Sequence, residues 1–274
     1  MHPNTSKISH KKVSFRSNVR SKKKKLKSSK KDIKRVPKIN EKVKSRKVSI
    51  KKRKEKRRNY SKKLTSLDSW AGLLEGHTAF ILGNAPSIED IKLDVLNNYL
   101  TIGINRIFFK YDPTILIWQD KGLWNSDKNN ILKQKAIKVC SYNSDPRHLF
   151  NNFIVKTQGF RFSGDPSKMH GRGNTAALAV QFAVALGCSH IVLLGTDCKY
   201  RDGKTNFYGK NKDHKSYTLK MCRAAMKWIV DNTPVPVYNC SDNNYLQTRK
   251  VEDVIQEILP PKISRKEISK LLGK

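Results

Sequence analysis

The sequence predicts an α/β protein, a three-layer sandwich with a mostly parallel sheet, preceded by a disordered basic tail. Three observations lead there. After Leu67, short apolar runs alternate with amphipathic helical stretches, the pattern of a parallel sheet covered on both faces. Positions 1–65, by contrast, carry 28 Lys and Arg against three acids, so 25 of the chain's net +35 charges lie in that quarter of it. Polar residues of the globular part also cluster directly behind the apolar runs, at the strand ends where open sheets hold ligands.

Taken in order, segment 1–65 has few apolar and almost no aromatic residues, so it cannot bury enough surface to offset the backbone entropy of ordering it. Its Lys runs, 22–25 and 51–54, are mixed with serines rather than set on a helical face, and a polyanion such as DNA or RNA is the expected partner. Strands are expected at 79–82, 100–104, 114–118, 136–140, 190–194 and 235–238. An Ala-rich helix over 174–186 ends at Gly187, which suits a left-handed C-cap. A second helix, near 214–230, sets Leu219, Cys222, Ala225, Met226 and Ile229 three and four apart. The apolar period over 251–258 is stopped by Pro260 and Pro261. The expected organisation is thus a tail at 1–65, a Rossmann-like nucleotide-binding domain at 66–260 and a short, charged, peripheral extension at 261–274.

Composition also excludes function classes. No apolar run approaches the roughly 20 residues of a membrane span, and the N-terminus lacks the apolar core of a signal peptide. The five cysteines show no metal-ligand spacing and read as buried thiols of a reduced cytoplasm. In a eukaryotic host the basic run 51–58 would instead read as a nuclear address.

The stretch Phe80-Ile-Leu-Gly-Asn-Ala-Pro-Ser87 carries a buried strand into a turn. Gly83 there would let a ligand approach the backbone, Asn84 offers an amide, and Ser87 is placed to cap the following helix, whose free N–H groups favour an anion. The single glycine departs from GxGxxG and no GK[ST] follows, which disfavours dinucleotide and Walker A readings. Three further strand ends bring Asn105 and Arg106, then Asp120, then Asp197 to the same rim, joined by the loop holding Arg172, Asn174 and Thr175. Residues 201–213, rich in Gly, Asn and Lys, read as a flap over that rim.

The order Gly-Asn-Ala-Pro-Ser, Gly-Ile-Asn-Arg, Gly-Asn-Thr-Ala-Ala and Leu-Leu-Gly-Thr-Asp resembles the bacterial sialyltransferases that modify lipooligosaccharide. It is also similar to motility accessory factor proteins and MptE-like hydroxymethylpterin pyrophosphokinases, which are often found in phage genomes. The resemblance covers about residues 78–246 and implies a transferase using a nucleotide-sugar donor of CMP or UDP type. It implies that Gly83, Asn84, Ser87, Asn105, Arg106, Arg172, Asn174 and Thr175 face the nucleotide. Tyr200 and Tyr208 would donate to the leaving phosphate, and His214 would be the general base. The pyrophosphokinase branch would instead use ATP with Mg²⁺ on Asp120 and Asp197. A non-catalytic protein bound to nucleic acid through its tail is the third reading; the acceptor, the oligomeric state and the host are left open.

Overall fold

A computed structural model of the chain describes residues 67–273, except 142–143, 145–151, 158–161, 163, 171–172 and 210–214. The basic segment 1–65 lies outside the described residues, and so do Arg172 and His214.

The chain runs β1 (Thr78–Leu82), β2 (Leu100–Ile104), β3 (Ile115–Trp118), α1 (Lys121–Lys133), β4 (Ile137–Ser141), β5 (Phe153–Thr157), β6 (Lys168–His170), α2 (Thr175–Ala185), β7 (His190–Leu194), α3 (Ser216–Asn232), β8 (Val237–Asn239), α4 (Val251–Ile258) and α5 (Arg265–Leu271). The eight strands form one sheet in the order β6-β5-β4-β3-β2-β1-β7-β8, every pair parallel. β1, β2 and β3 are buried along their whole length, which is why they read as unbroken apolar runs rather than alternating ones.

Successive side chains of a strand point to opposite faces, and the two cores follow that alternation. Ala79 and Ile81 enter a core with α2, α3 and α5, whereas Phe80 and Leu82 enter one with α1, α4 and the 3-10 turns at Pro86–Asp90, Leu93–Leu96 and Asn105–Phe109. The expected three-layer α/β architecture therefore holds, with one outer layer built largely of short 3-10 turns. α2 is buried all round, so its small Ala side chains let it sit close on the sheet. Gly187 follows it at φ +89°, in the left-handed region expected there.

Two regions differ from expectation. The sequence does not signal β5, β6 or α1; the two strands are short and lie at one margin of the sheet, with β6 at its edge, and α1 is polar and broken at Asp127 (φ −124°, ψ 17°). The segment after Pro261 is not merely a charged appendage. Ser264 and Glu267 form a capping box that starts α5, and Ile263, Ile268 and Leu272 are buried in the first core. The N–H of Ile263 donates to the Asn98 carbonyl at 2.8 Å, and Arg265 pairs with Asp112 at 2.7 Å. Apolar spacing over so short a stretch was hidden by its lysines, whose stems do not prevent the opposite face from packing.

From β1 to β6 the strands step in one direction, after which α2 carries the chain back to place β7 on the other side of β1. The loops leaving β1 and β7 consequently turn to opposite faces: Ile88 enters one core, and α3 packs in the other. A crevice at the carboxyl edge results at this topological switch point, where open α/β sheets place their ligands.

Candidate functional site

A cavity of about 130 Å³ occupies that crevice. Its walls come from the ends of β1 (Asn84, Ala85), β2 (Ile104, Asn105), β3 (Asp120) and β7 (Gly195 to Cys198). The N-terminus of α2, two residues of α3 and two of the flap complete it. Asn84, Asn105 and Asn174, read from three separate stretches of sequence, thus meet in one cavity, together with Thr175, Asp120 and Asp197.

Each amide is fixed differently. Asn84 is buried and its Nδ2 donates to the Ile104 carbonyl at 3.1 Å. A carbonyl can only accept, so this bond sets the orientation of the amide and leaves Oδ1 buried without a donor. Asn105 stands in the left-handed region (φ 50°), which Asn tolerates better than most side chains, and its Oδ1 is likewise buried and unpartnered. Asn174 is instead satisfied. Its Oδ1 caps α2 by accepting from the N–H groups of Ala176 (2.9 Å) and Ala177 (3.3 Å), while Nδ2 reaches the Cys222 carbonyl on α3 at 3.1 Å. Thr175 accepts from Gln119 at 2.9 Å, tying α2 to the end of β3.

Gly83 and Ser87 are both engaged by the chain itself. A Cβ on Gly83 would stand 2.0 Å from the Gly195 carbonyl oxygen, so the close approach it permits is to the backbone after β7, not to a ligand. Ser87 caps no helix, since Pro86 opens a five-residue 3-10 turn with Ser87 inside it. Its hydroxyl donates to one oxygen of Asp197, and its N–H to the other at 3.1 Å. Asp197 is fully buried, and burial pushes its carboxyl above the ordinary range against the pull of those two Ser87 bonds. A Mg²⁺ ligand must be ionised and open. The Asp120–Asp197 pair therefore does not fit the ion that the pyrophosphokinase reading needs, and no cluster of three His, Cys, Asp or Glu that could hold a metal is found among the described residues.

Arg106, Tyr200 and Tyr208 are not cavity residues. The Arg106 guanidinium pairs with Asp127 at 2.7 Å, donates to Ser126 at 2.9 Å and lies over the Tyr208 ring, 5.5 Å from its centroid. The break in α1 at Asp127 is where this pair forms. Tyr200 and Tyr208 are exposed on the segment behind β7. Burial nonetheless pushes the Tyr208 phenol up, while Arg106 pulls the other way.

The described part of the flap, 201–209, is fastened over the cavity. The N–H of Phe207 donates to the Asn84 carbonyl at 2.8 Å, and Thr205 and Asn206 are buried in the cavity wall. Lys199 pairs with Asp242 at 2.6 Å and Arg201 with Asp90.

No family model matches this chain, and no curated protein does. Among solved structures it is similar to the Campylobacter jejuni sialyltransferase CstII in complex with cytidine-5'-monophosphate, at 15% identity and a TM-score of 0.39 over 60% of this chain and 80% of that one. It is similar to CstII in complex with CMP-3FNeuAc (16%, TM-score 0.36, 60% and 79%) and to the monofunctional alpha-2,3-sialyltransferase Cst-I from the same organism (17%, TM-score 0.37, 60% and 75%).

Sequence reasoning missed Cys198, Thr205, Asn206, Leu219 and Cys222 as cavity residues. Leu219 and Cys222 were read only as the apolar face of a helix, and that face does pack inward; nothing in its spacing distinguishes a cavity wall from solid core. Thr205 and Asn206 are placed by the return of the flap onto β1, a contact with no local signature.

Proposed function

We propose that the chain is a glycosyltransferase that binds a nucleotide-sugar donor of CMP type in the cavity at the β1/β7 switch point. One observation carries this reading: Asn84 and Asn105, on adjacent strand ends, both line this cavity, and the amide oxygen of each is buried and unpartnered. A buried acceptor left unmade costs about 1–3 kcal/mol, so two of them in one cavity call for a ligand bearing donors. Ribose hydroxyls and the exocyclic amine of a base are such donors. The motif order that resembles the sialyltransferases supports the same ligand class.

On this reading an acceptor hydroxyl attacks the anomeric carbon, the bond from that carbon to the phosphate oxygen breaks, and the nucleoside monophosphate leaves. His214 takes the acceptor's proton, a task suited to an imidazole near neutral pH. Tyr200 and Tyr208 reach the leaving phosphate only if the segment behind β7 carries them inward, so the reaction requires movement of that segment after the donor binds.

Differential thermal melting of the full chain against CMP, UDP, GDP, ADP and ATP, with and without Mg²⁺, tests the reading. CMP should raise the melting temperature by mass action without need of metal. Asn84→Ala should remove most of that shift, and His214→Ala should keep the shift while abolishing turnover. A shift seen only with ATP and Mg²⁺ would replace this proposal with a kinase-type one.

A further inference from the structure

We propose that Arg223 holds the phosphate of the bound nucleotide, an inference that rests on the nucleotide reading and adds the charged end of the ligand to it. Among the described residues, the cavity wall contains two carboxylates, Asp120 and Asp197, and no Lys, Arg or His. The cavity as lined suits a neutral, donor-rich nucleoside, and a cation beside it would complete the site for a phosphate.

Five arginines lie among the described residues. Arg106 pairs with Asp127, Arg201 with Asp90, Arg249 with Glu257 and Arg265 with Asp112. Arg223 alone of the five has no carboxylate partner. It is half-buried, its Nε is buried with no hydrogen bond, and one terminal amino group makes a long 3.4 Å contact to the Cys198 carbonyl. A guanidinium so placed has given up water without replacing it, which is the state an incoming anion relieves.

Its position also fits. Helical spacing puts Leu219, Cys222, Arg223 and Met226 on one side of α3. Leu219 and Cys222 line the cavity, and so does Cys198, whose carbonyl Arg223 touches. Cys198 itself sits at φ 54°, the left-handed turn by which the chain leaves β7. An anion entering between Cys198 and Cys222 would meet the planar fork of Arg223, which matches phosphate geometry better than a point charge does. The nucleoside then lies toward Asn84 and Asn105, and the phosphate toward α3.

Titration calorimetry of the full chain with cytidine and with CMP, for the wild type, Arg223→Gln and Arg223→Lys, separates this from the underlying reading. A charge-assisted hydrogen bond is lost in Arg223→Gln, so its CMP affinity should fall about tenfold or more while its cytidine affinity stays within about twofold. Arg223→Lys should recover part of the CMP affinity, and it serves as the test should the Gln variant fail to fold. A variant that keeps the wild-type ratio of CMP to cytidine affinity would overturn the role of Arg223 and leave the nucleotide site standing. A wild type that binds neither compound removes both.

Discussion

Replacing Gly83 by Ala tests whether the β1/β7 switch point is built as described. The new methyl carbon would stand 2.0 Å from the Gly195 carbonyl oxygen, 2.7 Å from the Gly195 carbonyl carbon and 3.2 Å from the Thr196 methyl. Two of these three neighbours are backbone atoms, so no rotamer change relieves the clash. The backbone after β7 must move by more than an ångström. That backbone is held by the Gly83 N–H to Leu194 carbonyl bond at 2.7 Å and the Ala85 N–H to Gly195 carbonyl bond at 2.9 Å, so both are put at risk. Overpacking a tight core site costs about 1–3 kcal/mol, and a backbone clash this deep should reach the upper end of that range or pass it. Asn84 and Asp197 flank the displaced segments, so CMP binding should weaken as well. Urea denaturation of the purified variant supplies the measurement, with Gly122→Ala on α1 as the control; nothing lies within 4 Å of a Cβ there, and Ala in a helix should be neutral or stabilising by up to about 1 kcal/mol. A Gly83→Ala protein within about 0.5 kcal/mol of wild type would refute the close approach, and a loss of ligand affinity without loss of stability would return Gly83 to the phosphate-loop role.

Burial raises the Asp197 carboxyl above its unfolded value near 4, so between those two values the folded chain holds a proton that the unfolded chain has released, and stability falls as pH rises through that window. Asp197→Asn, whose amide oxygen still accepts from Ser87, removes the titration. Its stability relative to wild type should therefore improve as pH is raised from about 4 and then level off, and a flat or opposite trend in urea melts would contradict the raised carboxyl. Ile268 is fully buried in α5, so Ile268→Ala should lower unfolding free energy by about 2–5 kcal/mol; a loss under 0.5 kcal/mol would mean that residues 261–274 are peripheral after all. The 25 excess positive charges of residues 1–65 should make binding of the full chain to duplex DNA fall about a thousandfold between 50 and 200 mM salt, as read by electrophoretic mobility, and salt-independent binding would rule out a phosphate-tracking tail.

Much of this fold is legible in the chain because a parallel sheet buried on both faces writes itself as apolar runs. β2 and β7 begin and end where those runs do, and Asn174 and Gly187 punctuate α2 through local capping that needs no distant partner. Strand ends are also where a ligand site is expected, so Asn84, Asn105 and Asn174 group together in the sequence alone. What each of those residues does was decided elsewhere. Gly83 looked open to a ligand until β7 returned beside β1 and filled the space with Gly195; Ser87 looked like a cap until the fully buried Asp197, 110 positions later in the chain, claimed its hydroxyl. Arg106 looked like a ligand until the kink at Asp127 took its charge. Sequence alone determined the layers and the rim, since burial and capping act between near neighbours. Only the tertiary structure decided which polar groups are spent on one another and which remain free, because hydrogen-bond partners in this sheet come from strands that the chain order keeps far apart.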